Sequence, residues 1–182
     1  MNDGSHLQVL VNEYIHGSEN SCCNYDKEDQ WWGDKSLTWN GAVEKAWKSR
    51  LWDGKMHSHQ FRVANKLSEG LEIALADQVQ PENFKDFQGL HDWVKSVTGR
   101  VDGLGATAAY DVARRLGAWL GLELVVVYLH AGTVTGARNL GVKGKTARLS
   151  AFPKEIQALG TTHAENFLCI YKDRIPYQDS RD

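Results

Sequence analysis

The sequence predicts an all-α or nearly all-α fold, read as a single helical domain over residues 1–182. Three observations point that way. Apolar residues recur at spacings of three and four in segment after segment. Glycines stand where several of those segments stop. The one run with strand character, Leu124-Val125-Val126-Val127-Tyr128, has no second strand evident to pair with it and reads as a buried connector. Three prolines, and no repeat or low-complexity tract, leave no obvious linker.

Taken in order, Leu7, Leu10, Val11, Tyr14 and Ile15 mark a first helix, stopped at Gly17. Residues 18–38 are polar and studded with tryptophan, which suggests an ordered loop at the start of a Trp-rich segment, 18–62. Val43, Ala46, Trp47, Arg50 and Leu51 mark a second helix ending near Asp53-Gly54. Val63, Leu67, Leu71, Ala74 and Leu75 mark a third. Phe84, Phe87, Leu90, Val94 and Val97 form a fourth, closed at Gly99, and a fifth starts near Ala106 and buries Ala109, Val112, Ala113 and Leu116. Val134 to Leu140 is a short helix. Pro153 suits a first helical position, and Thr162-His163-Ala164-Glu165 reads as a capping box opening a last helix through Cys169.

Composition is that of an ordinary soluble globular protein: 42% hydrophobic and 24% charged residues, with a formal net charge of −2. No apolar stretch approaches the ~20 residues of a membrane helix. The N-terminus lacks the basic start and apolar core of a signal peptide, so the expected location is the cytosol. Three cysteines without a CxxC pair argue against a disulfide framework or a cysteine zinc site. The small negative charge excludes a generic nucleic-acid coater, so any DNA contact must come from a local surface. Five of the seven tryptophans lie between Trp31 and Trp52. Core packing accounts for most of them, but one or two, Trp32 among them, could line a pocket that stacks on a base.

The segment Val101-Asp102-Gly103-Leu104-Gly105-Ala106-Thr107-Ala108-Ala109 fits a helix-hairpin-helix pattern, within a unit of about residues 84–120. Two glycines let the backbone turn tightly and approach a phosphate with no Cβ in the way. The next helix then offers free N–H groups and its positive dipole end. Leu104 would plug the hairpin into its helices and Ala109 would allow their close approach. The bland alternative is a structural Gly-x-Gly turn.

Together with Val127-Tyr128-Leu129-His130 and Gly136-Ala137-Arg138-Asn139-Leu140-Gly141, this hairpin resembles the helix-hairpin-helix base-excision DNA glycosylases over about residues 84–141. The resemblance implies that Gly103, Leu104, Gly105, Ala106 and Thr107 bind DNA backbone. It also places Tyr128 where the family has its catalytic aspartate, Thr107 where lyase members have lysine, and His130 at the family's histidine position. Without the lysine, the implied activity is monofunctional: hydrolysis of the N-glycosidic bond without strand cleavage.

Glycosidic cleavage builds positive charge on the sugar, which a carboxylate must answer. Asp111, one helical turn beyond Thr107, is the candidate. Its alternative role is a salt bridge to Arg114 or Arg115. Asp102 reads as a turn residue. Lys55, His57, His59, Gln60 and Arg62 form a second polar constellation, a candidate pocket rim with groups for proton transfer, a base edge and phosphates. A solvated loop is the alternative. A metal is not expected there, because no carboxylate or cysteine completes a familiar spacing.

Arg138, Lys143, Lys145 and Arg148 make a basic cluster that could track a strand. The leading expectation is a monomeric, cofactor-free, monofunctional glycosylase acting on a damaged or modified base, with room for a bulky one such as a modified cytosine of foreign DNA. The alternatives are a non-catalytic reader of a lesion, junction or modified base, and a helical protein whose hairpin merely packs.

Overall fold

The structure, a computed structural model, describes residues 5–17 and 21–177, the side chains of Ser21 and His59 excepted. It is mostly helical. In order come α1 (His6–His16), α2 (Ser21–Trp32), α3 (Trp39–Lys48), α4 (Ala64–Ala76), α5 (Phe87–Thr98), α6 (Ala106–Leu120), β1 (Val127–Tyr128), α7 (Ala131–Asn139), β2 (Thr146–Ala147), α8 (Lys154–Gln157) and α9 (Gly160–Ile170). Short 3-10 turns cover Ser58–Val63, Pro81–Asn83 and Leu149–Ala151. No helix among the described residues is long and apolar enough to cross a membrane. The chain divides into two compact units, Lys27–Glu123 and Met1–Asp26 with Leu124–Asp182.

In the unit Lys27–Glu123, α5 packs on α6, α3 on α4 and α6, and α4 on α5. Ala42, Val43, Ala46 and Trp47 of α3 are buried, as are Leu90, Val94 and Val97 of α5 and Val112, Ala113 and Leu116 of α6. Apart from Ala42, these are the residues whose helical spacing predicts them inside. Thr38 caps α3 by accepting from the Gly41 N–H at 3.2 Å, and Asp86 caps α5 by accepting from Gly89 at 2.8 Å. Gly70 lets α4 press on Trp47: a Cβ there would fall 2.2 Å from the ring. Trp39 donates its indole N–H to the Val79 carbonyl at 2.7 Å and packs against Phe84, Trp93 and Trp119.

In the other unit, Leu7, Leu10, Val11 and Tyr14 of α1 share a core with Ile156, Phe167 and Leu168. Helix α7 lies so close to α9 that a Cβ on Gly136 would sit 2.5 Å from the Leu168 carbonyl oxygen.

Several boundaries differ from expectation. Within the 18–38 loop, residues 18–20 lie outside the described residues, but Ser21–Trp32 is a helix. Its apolar signal is thin: Tyr25 and Trp32 are buried, while most of the remainder is polar and faces water. The second helix ends at Lys48, because Ser49 turns to the left-handed region at φ 55°. The fourth begins at Phe87 rather than Phe84, where Asp86 supplies the cap.

The Leu124–Tyr128 run is a strand at its end rather than a connector. Val127 pairs with Ala147 and Tyr128 with Thr146, antiparallel, while Val125 is 78% exposed. Its two-residue partner is too short to leave a pattern. Pro153 sits at the N-cap of α8, not its first turn. The expected capping box is interior to α9, which begins at Gly160, and Glu165 is buried.

Candidate functional site

Helix α6 carries Asp111, Arg114 and Arg115 at spacings of three and four, so one side of the helix presents all three. Two other segments meet that side. The 3-10 turn Ser58–Val63 contributes Gln60, whose Nε2 donates to Asp111 Oδ2 at 2.5 Å. Helix α2 contributes Asp29, 2.5 Å from Arg114, and Glu28, 3.6 Å from Arg114 and 3.5 Å from His57 Nε2. Arg115 is buried. It donates to Ser49 Oγ at 2.5 Å and the Ala46 carbonyl at 3.1 Å, and its guanidinium lies 4.8 Å from the centre of the buried Trp32 ring.

Electrostatics keep Arg115 and Glu28 charged. Burial lowers the Arg115 pKa to about 10, against the opposing pull of Asp111, so it stays cationic at neutral pH. Burial pushes the Glu28 carboxyl up, but the hydrogen bond and charge of His57, with Arg114 and Arg115, outweigh it and leave the pKa below the usual value. Gln60 is 1% exposed. Its carbonyl oxygen is buried with no hydrogen-bond partner among the described residues. Turning the amide over would set that oxygen against the Asp111 carboxylate, so the charge fixes the orientation and strands the acceptor. An unmade buried hydrogen bond of this kind costs about 1–3 kcal/mol.

Asp111, Gln60 and His57 are thus gathered in one unit, although sequence reasoning drew them from separate motifs. Asp111 is half-buried. Arg114, one of the two partners expected for it, is engaged by Asp29 and Glu28. Glu28 and Asp29 lie on a helix whose polar sequence predicts a loop, so nothing in the local pattern marks them. Lys55 is exposed and pairs with Asp53 at 3.3 Å; Arg62 is exposed; the His59 side chain lies outside the described ones. A cavity of about 240 Å³ opens nearby in sequence, lined by Trp47, Arg50, Met56, Leu67 and Leu71 among others, but not by Asp111, His57 or Gln60.

Between α5 and α6 the chain turns through Gly103 at φ 92°, a conformation that suits glycine. Gly105 is the N-cap of α6, extended at φ −109°, and no side chain caps the helix. Gly103, Gly105 and Ala106 are exposed and Thr107 half-buried, and a Cβ on either glycine would meet nothing within 4 Å. The first helical N–H groups therefore lie at an exposed turn, with no side-chain cap among the described residues. Leu104, expected as the plug, is half-buried; the buried anchor is Val101, at 2% exposure.

In the other unit Tyr128 is buried in β1, and its carbonyl accepts from Thr133 Oγ1 at 3.3 Å. His130 Nε2 lies 3.4 Å from the buried carboxylate of Glu165, the residue that the sequence pattern places in a helix cap. Arg138, Lys143, Lys145 and Arg148 are all exposed and make no ion pair among the described residues. Comparison with protein-family models, curated proteins and solved structures finds no match for this chain.

Proposed function

We propose that the chain is a helix-hairpin-helix DNA-binding protein and, more specifically, a monofunctional DNA glycosylase. The observation that carries the reading is the α5–α6 turn: two exposed glycines followed by helix amides with no side-chain cap among the described residues, on a segment whose sequence resembles the family's hairpin. A phosphate oxygen is the natural acceptor for such amides. Arg138, Lys143 and Lys145 add exposed positive charge suited to a DNA strand.

In this reading Asp111 supplies the negative charge that the cationic sugar requires, or orients the water that attacks it. Gln60 fixes the carboxylate from the buried side. His57, beside Glu28 in the same unit, is the candidate for proton transfer. With threonine at position 107 there is no amine to form a Schiff base, so the strand stays intact.

Incubation with genomic DNAs differing in base modification, assayed for abasic sites, tests the proposal. One DNA class should accumulate abasic sites without strand breaks. Asp111→Asn keeps an oxygen for Gln60 but removes the charge, and should slow hydrolysis by at least ~10²-fold while leaving DNA binding intact. Full activity in Asp111→Asn would remove that residue from the chemistry. The second reading, a non-catalytic reader of a lesion or modified base, is favoured by the buried Tyr128 at the position where the family has its aspartate. DNA binding without abasic sites from any substrate would select it.

A further inference from the structure

A separate cluster in the unit Met1–Asp26 with Leu124–Asp182 has metal-ligand chemistry. Cys22 and Asp26 stand one turn apart on α2, and His163 projects from α9. The Cys22 thiol lies 3.9 Å and an Asp26 carboxylate oxygen 3.1 Å from the same ring nitrogen, His163 Nε2. All three donor atoms fall within 4.8 Å of one another.

Two functions could use a thiol, an imidazole and a carboxylate. A nucleophilic relay needs the thiol on one ring nitrogen and the carboxylate on the other, so that the carboxylate orients a base that deprotonates sulfur. Here both converge on Nε2, and a single N–H cannot serve both. The far nitrogen, Nδ1, meets the hydroxyl of the buried Tyr14 at 2.8 Å, and that oxygen accepts in turn from Asn166 Nδ2 at 2.9 Å. The Tyr14 oxygen can accept from Nδ1–H, and in that tautomer the Nε2 lone pair is free for a metal, the outer-shell arrangement of metal-bound histidines. Tyr14 and Tyr25, with ring centres 5.9 and 5.4 Å away, hold the ring from two sides.

We infer that Cys22, Asp26 and His163 form a site for a tetrahedral, borderline-soft divalent metal, zinc above all. Metal–ligand bonds of about 2.0–2.3 Å put neighbouring donors about 3.3–3.7 Å apart. The separations of 3.1 and 3.9 Å need adjustments of a few tenths of an ångström, and the Cys22–Asp26 pair, within 4.8 Å, closes by about one ångström at most as the side chains turn inward. Sulfur and imidazole donors disfavour calcium and magnesium, which take oxygen. The Asp26 side chain is 54% exposed, so the fourth position opens to water. A cysteine zinc site shows in a sequence as closely spaced cysteines; this set has one cysteine, joined to a histidine 141 positions away, and leaves no local pattern.

Cobalt(II) is the probe. The full chain, stripped with chelator, should bind one cobalt(II) with a thiolate-to-metal charge-transfer band and strong tetrahedral visible bands, both lost on adding zinc(II). Cys22→Ser should abolish the charge-transfer band, whereas Cys23→Ser and Cys169→Ser should keep it. His163→Gln and the surface change Asp26→Asn should each weaken affinity at least tenfold, about 1.4 kcal/mol, with circular dichroism verifying the fold. Absence of stoichiometric cobalt binding by the wild-type chain, persistence of the band in Cys22→Ser, or undiminished affinity in folded Asp26→Asn would each overturn the assignment.

Discussion

Gly103 and Gly105 show how two identical residues can do different jobs. Gly103 sits at φ 92°, where any L side chain is strained, so its replacement tests folding as much as binding. Gly105 is extended and open, so a side chain fits there without strain. Aspartate at that position would cap α6 itself, occupying the amides proposed for phosphate and adding a negative charge. Gly105→Asp should therefore keep or slightly raise the melting temperature while lowering duplex affinity at least tenfold. In the parent, log affinity against log salt should slope at roughly −2 to −5, as a few phosphate contacts imply. Unchanged affinity in folded Gly105→Asp, measured by fluorescence anisotropy, would end the hairpin reading. The hairpin pattern was legible in the sequence because its residues are consecutive. Its buried anchor was not, since Val101 and Leu104 are equally apolar and only the turn's course decides which faces the core.

Helix α4 sets intrinsic propensity against packing. Replacing a mid-helix glycine by alanine gains about 1 kcal/mol from propensity alone. At Gly70 the new Cβ would lie 2.2 Å from Trp47, a ring that is wholly buried and has nowhere to retreat. Overpacking of this kind costs about 1–3 kcal/mol or more. Gly70→Ala should therefore lower the melting temperature. In α5, the nearest atom to a Cβ on Gly89 is the Asp86 carboxylate at an ordinary 3.5 Å, so Gly89→Ala should raise it. Equal stabilisation in both variants, read by thermal melts, would mean that α4 does not pack on Trp47 as described. Helices whose apolar stripe is dense, such as α3 and α5, were legible from spacing. Helix α2 was not, because its buried face is built from a tyrosine and a tryptophan scattered among charges, and a charged face gives no periodic signal.

At the scale of the whole molecule, six carboxylates among the described residues are shifted in one direction. Hydrogen bonds from Arg174 lower the Glu13 pKa and those from Arg100 lower Asp77; Ser36 does so for Asp34, the Lys55 backbone for Asp53, and backbone and Ser5 hydrogen bonds for Glu155. Glu28 joins them, depressed by His57 and two arginines despite its burial. A carboxyl whose folded pKa is depressed binds protons more weakly folded than unfolded. The stability it contributes is present above the unfolded pKa, about 4, and is lost as pH falls through the folded value. Stability should thus hold down to about pH 5 and decline below about pH 4. High salt should blunt the contribution of exposed pairs such as Glu13–Arg174 more than that of Glu28. A melting temperature that rises on acidification through the carboxylate range would contradict these assignments.

The sequence by itself determined most of the helical stretches, α2 excepted, where glycines let the chain turn, and which faces of those helices are apolar. Those properties depend on spacing within a dozen residues and on backbone sterics. It also carried the hairpin pattern and nominated Asp111 and Gln60 separately. Only the tertiary structure decided that Gln60 donates to Asp111 across 51 positions, that Glu165 faces His130, that Val127–Tyr128 finds a strand at Thr146–Ala147, and that Cys22, Asp26 and His163 converge. The physical reason is that periodicity reports that a face is buried, not what it is buried against. A polar group's partner is chosen by the packing of distant helices, and no local pattern in the chain records that choice.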